Sequence, residues 1–241
     1  EEEEEEEEHR QEKQQEQEHV QDGSWLCGPA SSTGMSGEVL ALCWLRKYCY
    51  KLLVGALDAE SGLGQVRVMR WDGAGGVTRQ RSGLLSMSRW LNSVNTNADD
   101  SILLLGGGNA FRLLDLETGR EMAQQTRFHS SIVNCPRFSQ DHPGIFASAS
   151  LDRQVALWDM RMGCARPAWR VELEAGATMV EFSSHDDRLL VSCLDNHVVQ
   201  LYSRDAGRHS RLNLDPLNDE NNITKSYYTK DNRYIVNVSR L

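Results

Sequence analysis

The chain has 241 residues, of which 39% are hydrophobic and 25% are charged, an ordinary composition for a soluble protein with one substantial core. Its formal charge is −9, but residues 1–22 contain twelve acids against Arg10 and Lys13, so that segment carries −10 and the remainder +1. A nearly neutral body has no basic stripe for phosphates, which disfavours direct binding of a nucleic acid or an anionic membrane.

The N-terminal residues are predicted to form a disordered acidic tail. Residues 1–23 are almost wholly Glu and Gln, without apolar periodicity, and cannot bury enough surface to offset their ordering entropy. The tail has two interpretations, a site for a cationic partner such as a histone or a solvated segment without a ligand. A Gly/Ser-rich linker follows over residues 24–37, and the folded domain is predicted to span residues 38–241.

Three segments of the body repeat one pattern. Each ends in a small residue, Leu and Asp, and they are Leu52–Asp58, Phe146–Asp152 and Leu189–Asp195. An aromatic residue precedes each final Asp by 13 or 14 positions, at Trp44, Phe138 and Phe182 respectively. Two strands joined by a turn fit that interval, and residues 102–109 form a weaker fourth copy.

Another run of strand-like residues follows the copies at residues 52–58, 102–109 and 146–152. These three runs end in the pairs Trp71-Asp72, Leu114-Asp115 and Trp158-Asp159, whose aspartates are 43 and 44 residues apart. A period of this length with several short strands is typical of a propeller blade. The sequence therefore predicts an all-β, incomplete β-propeller of about four and a half blades with little helix. About seven such blades need roughly 300 residues, and the first residue is Glu rather than Met, so we expect a fragment truncated at its C-terminus.

The reactive side chains predict no catalytic, cofactor or metal site. The six cysteines form no CxxC pair and none lies at zinc-ligand spacing from a histidine, which favours reduced thiols. Gly106–Gly108 lack the Lys-Ser/Thr pair of a phosphate loop and are interpreted as a turn. No apolar run reaches bilayer length and no signal segment opens the chain, so a cytoplasmic or nuclear location is expected.

The stretch from His129 to Arg161 resembles a WD repeat, and residues 38–241 resemble WD-repeat proteins of plants and green algae of unassigned function. The resemblance implies a structural hydrogen-bond network of His129, Ser150, Asp152 and Trp158. Three of these have the residue types of a hydrolase triad, but the sequence shows no strained elbow or oxyanion donors, so the structural role is favoured. The other repeats depart from the pattern, for instance at Leu114 and Cys193.

The residues Trp158-Asp159-Met160-Arg161 resemble the WDxR (DWD-type) box of ubiquitin-ligase substrate receptors. In that family the box docks the propeller on the DDB adaptor of a cullin-RING ligase, and Asp159 and Arg161 would be the docking residues here. The alternative interpretation is that Arg161 only solvates a strand end. The sequence thus favours a non-catalytic protein-interaction scaffold, with the adaptor-docking receptor as the alternative.

Overall fold

The computed structural model describes residues 38–58, 60–71, 77–88, 91–212 and 225–238, with backbone alone for 77–88, 205–208 and 237–238. The predicted acidic tail and linker lie outside these residues. Within them the chain is all-β except for one short 3₁₀ helix, η1 (Met160–Met162). The all-β prediction is confirmed.

Four four-stranded antiparallel sheets and one hairpin follow each other along the chain. Blade 1 comprises β1 (Val39–Trp44), β2 (Lys51–Leu57), β3 (Gly64–Trp71) and β4 (Val77–Ser88). Blade 2 comprises β5 (Ser93–Thr96), β6 (Ile102–Gly107), β7 (Ala110–Asp115) and β8 (Glu121–Gln125). Blade 3 comprises β9 (Arg137–Phe138), β10 (Ile145–Ala149), β11 (Gln154–Asp159) and β12 (Trp169–Glu172). Blade 4 comprises β13 (Ala177–Phe182), β14 (Arg188–Cys193), β15 (Val198–Tyr202) and β16 (Asp205–Leu212). The fifth unit is the hairpin β17 (Lys225–Tyr228) and β18 (Ile235–Val238).

The strands in each blade are hydrogen-bonded in chain order, as in an up-and-down meander. The first strands of successive blades contact one another, β1 with β5, β5 with β9, β9 with β13 and β13 with β17. The first strand of each unit therefore lies nearest the common axis, which is the arrangement of a propeller. The prediction of four blades and half of a fifth is confirmed.

The core lies between the blades because side chains alternate across each strand. On β6, Leu103 and Leu105 pack toward blade 1, whereas Leu104 joins the aromatic cluster shared with blade 3. On β10, Ala147 and Ala149 pack toward blade 4, whereas Phe146 faces blade 2. Each blade is thus fixed through its neighbours, and the strands with both faces covered read as continuous apolar runs.

The aromatic positions in the repeat end the first strand of a blade. Trp44, Phe138 and Phe182 are the last residues of β1, β9 and β13, and they pair with Leu52, Phe146 and Leu189 on the following strands. The glycine run departs from the prediction in part, since Gly106 and Gly107 end β6 and the hairpin turn contains Gly108 and Asn109. Gly108 has φ of 55°, as a two-residue hairpin with glycine in its first turn position requires.

Candidate protein-docking site

A buried hydrogen-bond chain connects the segment that enters blade 3 to its two central strands. The His129 ring lies with Nδ1 at 3.0 Å from Asp152 Oδ2 and with Nε2 at 2.8 Å from the Ser148 hydroxyl. The Trp158 indole N–H donates to that same hydroxyl over 2.9 Å. Ser148 and Trp158 are completely buried, so each of these polar groups depends on its partner in the chain.

A neutral His129 completes this chain without an orphan donor. With the proton on Nδ1, the ring donates to Asp152 and its Nε2 accepts from the Ser148 O–H, which leaves the serine oxygen to accept from Trp158. Burial lowers the pKa of His129 below its ordinary value, against the opposing effect of Asp152. Geometry and desolvation therefore favour the same protonation state.

Asp152 is held as a carboxylate at the turn between β10 and β11. Burial raises its pKa, but backbone N–H groups of Gln154 and Ser130, each at 2.9 Å, and the His129 ring outweigh burial, so the pKa lies below its ordinary value. The carboxylate thereby fixes the turn and the incoming segment together.

The predicted network contained Ser150, and that part of the prediction was wrong: the structure brings together His129, Ser148, Asp152 and Trp158. Ser148 lies two positions beyond Phe146, the residue that pairs directly with Trp158. Ser150 lies four positions beyond, about 13 Å along a strand, which is beyond the reach of the indole. Its hydroxyl instead donates to the Ser131 carbonyl over 3.1 Å and accepts from the Asp152 N–H over 3.2 Å.

Trp158 occupies the centre of an aromatic cluster between blades 2 and 3. Its ring stacks on Phe146 at 6.0 Å and meets Phe111 and Phe128 edge-on at 4.8 and 5.1 Å. Such pairs add about 0.5–1.5 kcal/mol each beyond their buried area. The strand end that follows Trp158 is therefore rigidly anchored.

At that strand end Asp159 and Arg161 form a closed turn. The Asp159 carboxylate accepts the Arg161 backbone N–H over 3.0 Å, which caps η1. It also accepts Nε and Nη2 of the Arg161 guanidinium over 2.9 and 2.7 Å. The carboxylate is 15% exposed and the Arg161 side chain 80% exposed. The hydrogen bond from Arg161 lowers the pKa of Asp159 and correspondingly raises that of Arg161.

This geometry holds an exposed guanidinium in one orientation beside a buried anchor. Two of the five N–H groups of the guanidinium bond Asp159, so three remain for another acceptor. Met162 follows and is 68% exposed. The arrangement can present a cation and an apolar side chain to a protein surface.

Three known proteins are similar in sequence to all or part of this chain. The chain is 31% identical over 214 residues to Protein DWD HYPERSENSITIVE TO UV-B 1 of Arabidopsis thaliana, a match that covers 86% of this chain and 27% of that protein. It is 30% identical over 93 residues to DNA damage-binding protein CMR1 of Eremothecium gossypii, covering 39% of this chain and 18% of that protein. It is 35% identical over 86 residues to histone-binding protein MSI1 of Saccharomyces cerevisiae, a match that covers 35% of this chain and 20% of that protein.

These relatives are WD-repeat proteins, and the described strands of this chain form four blades in a propeller arrangement. The chain belongs to the WD-repeat β-propeller family. It spans between 18% and 27% of the length of these three relatives. No model of a protein family matches the sequence.

This WD-repeat chain also joins its blades through a recurring polar clasp that the sequence analysis missed. Asp100, Asp186 and Asn232 each lie four residues after the end of a first strand, in the left-handed region with φ of 54°, 55° and 56°. Asp100 accepts the Lys47 N–H of blade 1 over 2.7 Å. Asp186 accepts from the hydroxyl of Ser139 and the N–H groups of Gln140 and Asp141 in blade 3. Asn232 accepts the Ser184 N–H of blade 4 over 2.9 Å.

The described part of this WD-repeat chain contains no group of three His, Cys, Asp or Glu side chains arranged to hold a metal ion. Among the same residues no helix is long and apolar enough to cross a membrane. Burial raises the pKa of the Cys193 thiol to about 12, with Asp195 acting in the same direction, so that thiol is neutral at physiological pH.

Proposed function

We propose that this chain is a non-catalytic protein-interaction scaffold, in which packed blades hold exposed residues in fixed positions for partner proteins. The observation that carries the proposal is the end of blade 3. There Arg161 and Met162 are exposed on a turn that is anchored by the buried Trp158 and capped by Asp159. Rigid presentation of an arginine and an apolar side chain lowers the entropy lost on binding.

The environments of His129 and Cys193 support a structural role for these two side chains. Both ring nitrogens of His129 are engaged inside blade 3, which leaves neither for a substrate. The Cys193 thiol is neutral at physiological pH, which makes it a poor nucleophile. An activated cysteine nucleophile requires the opposite environment, one that lowers the pKa of the thiol.

The names of two relatives state that those proteins bind damaged DNA and histones. Binding rather than catalysis is thus the activity that those names share. For this chain we propose proteins as partners, because the sequence outside residues 1–22 carries a charge of only +1.

A more specific candidate is docking on the DDB adaptor of a cullin-RING ubiquitin ligase, in the cytoplasm or nucleus. It is favoured by the Arg161 guanidinium, which Asp159 orients while three N–H groups stay available for charge-assisted bonds. The Arabidopsis relative carries in its name the term DWD, by which the WDxR box is known. In this role Arg161 contacts the adaptor, and Asp159 positions the Arg161 guanidinium.

Arg153→Ala is the matched control for a test of this docking role. Arg153 is also exposed on blade 3, and its Nη2 lies 2.6 Å from Glu172 on the same sheet. It precedes β11 whereas Arg161 follows it, so the two arginines lie at opposite ends of the blade. The two substitutions therefore remove the same charge and a similar ion pair with a neighbouring carboxylate, but at opposite ends of blade 3.

The experiment measures binding of purified DDB adaptor to the wild-type chain and to Arg161→Ala, Arg161→Lys, Asp159→Ala and Arg153→Ala, with folding checked by circular dichroism. Adaptor docking predicts that Arg161→Ala weakens binding at least ~tenfold and that Arg161→Lys restores little of it, because lysine lacks the planar fork. Arg153→Ala is expected to bind as the wild type does. Equal binding by all variants, or no binding by the wild type, would overturn the adaptor role.

The general scaffold role is tested separately by affinity purification from cell extract with the same variants. Partners retained by both the wild type and Arg161→Ala support a scaffold that uses other surfaces. A chain that retains no protein above the level of a denatured control, in either form, contradicts the scaffold proposal.

A further inference from the structure

Blade 1 carries a compact cationic and aromatic surface on the turn between its first two strands and the adjacent part of β3. We call it the blade 1 cationic surface and define it as Lys47, Tyr48, Tyr50, Lys51 and Arg70. The neighbouring Arg46 donates to the carbonyl and the side chain of Gln140 in blade 3. Residues 46–51 contain three cations and no acid. This local charge is unusual in a body whose overall charge is close to zero.

The cations and rings of this surface form a ladder. The Lys51 ammonium lies 4.5 Å from the centre of the Tyr48 ring and 5.5 Å from that of Tyr50. The Arg70 guanidinium lies 5.2 Å from the centre of the Tyr50 ring, in the turn just before β2, and the two tyrosine rings meet edge-on at 6.2 Å. Cation–π contacts hold the positive charges at fixed positions.

Lys51 and Arg70 are direct partners in the register of β2 and β3. Like charges directly opposite each other destabilise a strand pair. The shared Tyr50 ring offsets part of this repulsion. The register therefore places two positive charges side by side on blade 1.

The surface is also accessible and partly apolar. Tyr48 is 44% exposed, and the neighbouring Trp44, which meets Trp71 edge-on at 6.0 Å, is 52% exposed. Exposed aromatic rings beside cations suit a flexible polypeptide more than a small inorganic anion, because the rings offer contact area to a chain.

We infer that the blade 1 cationic surface binds the acidic residues 1–22 of the same molecule. That segment carries twelve acids and a charge of −10, the largest concentration of charge of opposite sign in the sequence. Residues 23–38 connect it to β1, and sixteen residues can span up to about 50 Å, so the connection reaches the far end of β1. Covalent linkage gives the two groups an effective concentration on the order of millimolar.

Asp99 and Asp100 limit where on the surface the tail binds. Asp100 accepts the Lys47 backbone N–H, and the Lys47 charge contributes to lowering the pKa of Asp99. These carboxylates repel an acidic segment from the Lys47 end. The tail is therefore placed mainly over Lys51, Tyr50 and Arg70.

Zero-length carbodiimide cross-linking of the complete chain tests this inference, since it joins carboxylates to lysines only on contact. The sequence has four lysines outside the tail, Lys47 and Lys51 on blade 1 and Lys225 and Lys230 on the fifth unit, so the second pair is an internal control. We expect tail cross-links at Lys51 to exceed those at Lys225 or Lys230 by about tenfold. They should be lost at about 1 M salt, where the Debye length is ~3 Å.

Variants localise the contact. Arg70→Gln should reduce the Lys51 cross-links several-fold and Arg70→Lys should preserve them, whereas Arg120→Gln, at an exposed turn of blade 2, should have no effect. Cross-links distributed evenly over the four lysines, or unchanged in Arg70→Gln, would overturn the inference. Cross-links that join isotopically distinct copies would overturn it in favour of a second copy. Protection of Lys51 by oligothymidylate with no tail cross-link would overturn it in favour of single-stranded nucleic acid.

Discussion

Trp158 donates its indole N–H to the hydroxyl of Ser148 over 2.9 Å, from one central strand of blade 3 to the other. The Ser148 hydroxyl lies at the same time 2.8 Å from His129 Nε2. One small side chain thus provides a partner for two buried nitrogen atoms that belong to different parts of the blade. Its removal leaves both without this partner in a buried position.

Ser148→Ala is therefore expected to lower the free energy of unfolding by about 1–3 kcal/mol. Urea denaturation followed by tryptophan fluorescence measures the change. Ser130→Ala is the control, because the exposed Ser130 contributes only its backbone N–H to Asp152 and keeps it, so a change within about 0.5 kcal/mol is expected. Equal losses in the two variants would show that the Ser148 hydroxyl has no special role.

The depressed pKa of His129 predicts a pH dependence of stability. The ordinary pKa is 6.5 and burial lowers it, so around and just below that pH the unfolded chain binds more protons than the folded chain. The free energy of unfolding then rises with pH through this window and falls as the pH is lowered from about 7 to 5.5. One such proton contributes at most about 1.4 kcal/mol per pH unit.

Urea denaturation at a series of pH values measures this contribution as the difference in slope between the wild type and His129→Gln. The variant is expected to lose less stability on acidification, because its side chain does not titrate. Ser130→Ala, which changes no titratable side chain, should keep the wild-type slope. Parallel slopes for the wild type and His129→Gln would contradict a neutral, buried His129.

The repeat pattern predicted the strands well because it reflects backbone alternation and turn chemistry, which are local. The interval from Phe138 to Asp152 begins at the last residue of β9 and contains the following turn and β10, so it holds one whole strand and not the two that the spacing predicted. The choice between Ser148 and Ser150 could not be made in the same way. Both serines lie on the same face of the strand by parity, and only the pairing of Phe146 with Trp158 decides which one the indole reaches.

The clasps between blades were missed for a related reason. Asp100 and Asp186 are ordinary turn residues when read alone, and their partners lie in another blade 53 and between 45 and 47 positions away. A signal was present, since each follows the end of a first strand by four residues and Asp tolerates positive φ. Comparing equivalent turns between repeats would have indicated a shared role.

Removal of the clasp in blade 4 should destabilise the junction with blade 3. Asp186 is buried and accepts from the Ser139 hydroxyl over 2.6 Å and from the N–H groups of Gln140 and Asp141 over 2.7 and 2.9 Å. Asp186→Ala leaves these donors unpaired and is expected to cost roughly 2–4 kcal/mol. Hydrogen exchange should show faster exchange of the Gln140 and Asp141 amides.

Asp141→Ala is the matched control for the clasp, since Asp141 is exposed and keeps its own N–H to Asp186. Its unfolding free energy should stay within about 0.5 kcal/mol of the wild type. If the Gln140 and Asp141 amides exchanged as slowly in Asp186→Ala as in the wild type, the clasp would not stabilise the junction between blades 3 and 4.

The last prediction concerns the close approach of blades 2 and 3 at Gly106. A Cβ atom on Gly106 would lie 2.4 Å from Cδ and 2.8 Å from Cγ of Pro136, a rigid ring that cannot rotate away. Gly106→Ala therefore forces a backbone shift between the blades and is expected to cost roughly 1–3 kcal/mol in unfolding free energy, measured by urea denaturation. Gly144→Ala has no atom within 4 Å of the new methyl group, so it should be neutral or stabilise by about 0.4–1 kcal/mol through the unfolded state. If Gly106→Ala were as stable as Gly144→Ala, Pro136 and blade 3 would be able to move away from blade 2 at no measurable cost. That outcome would contradict the view that direct packing fixes neighbouring blades relative to each other.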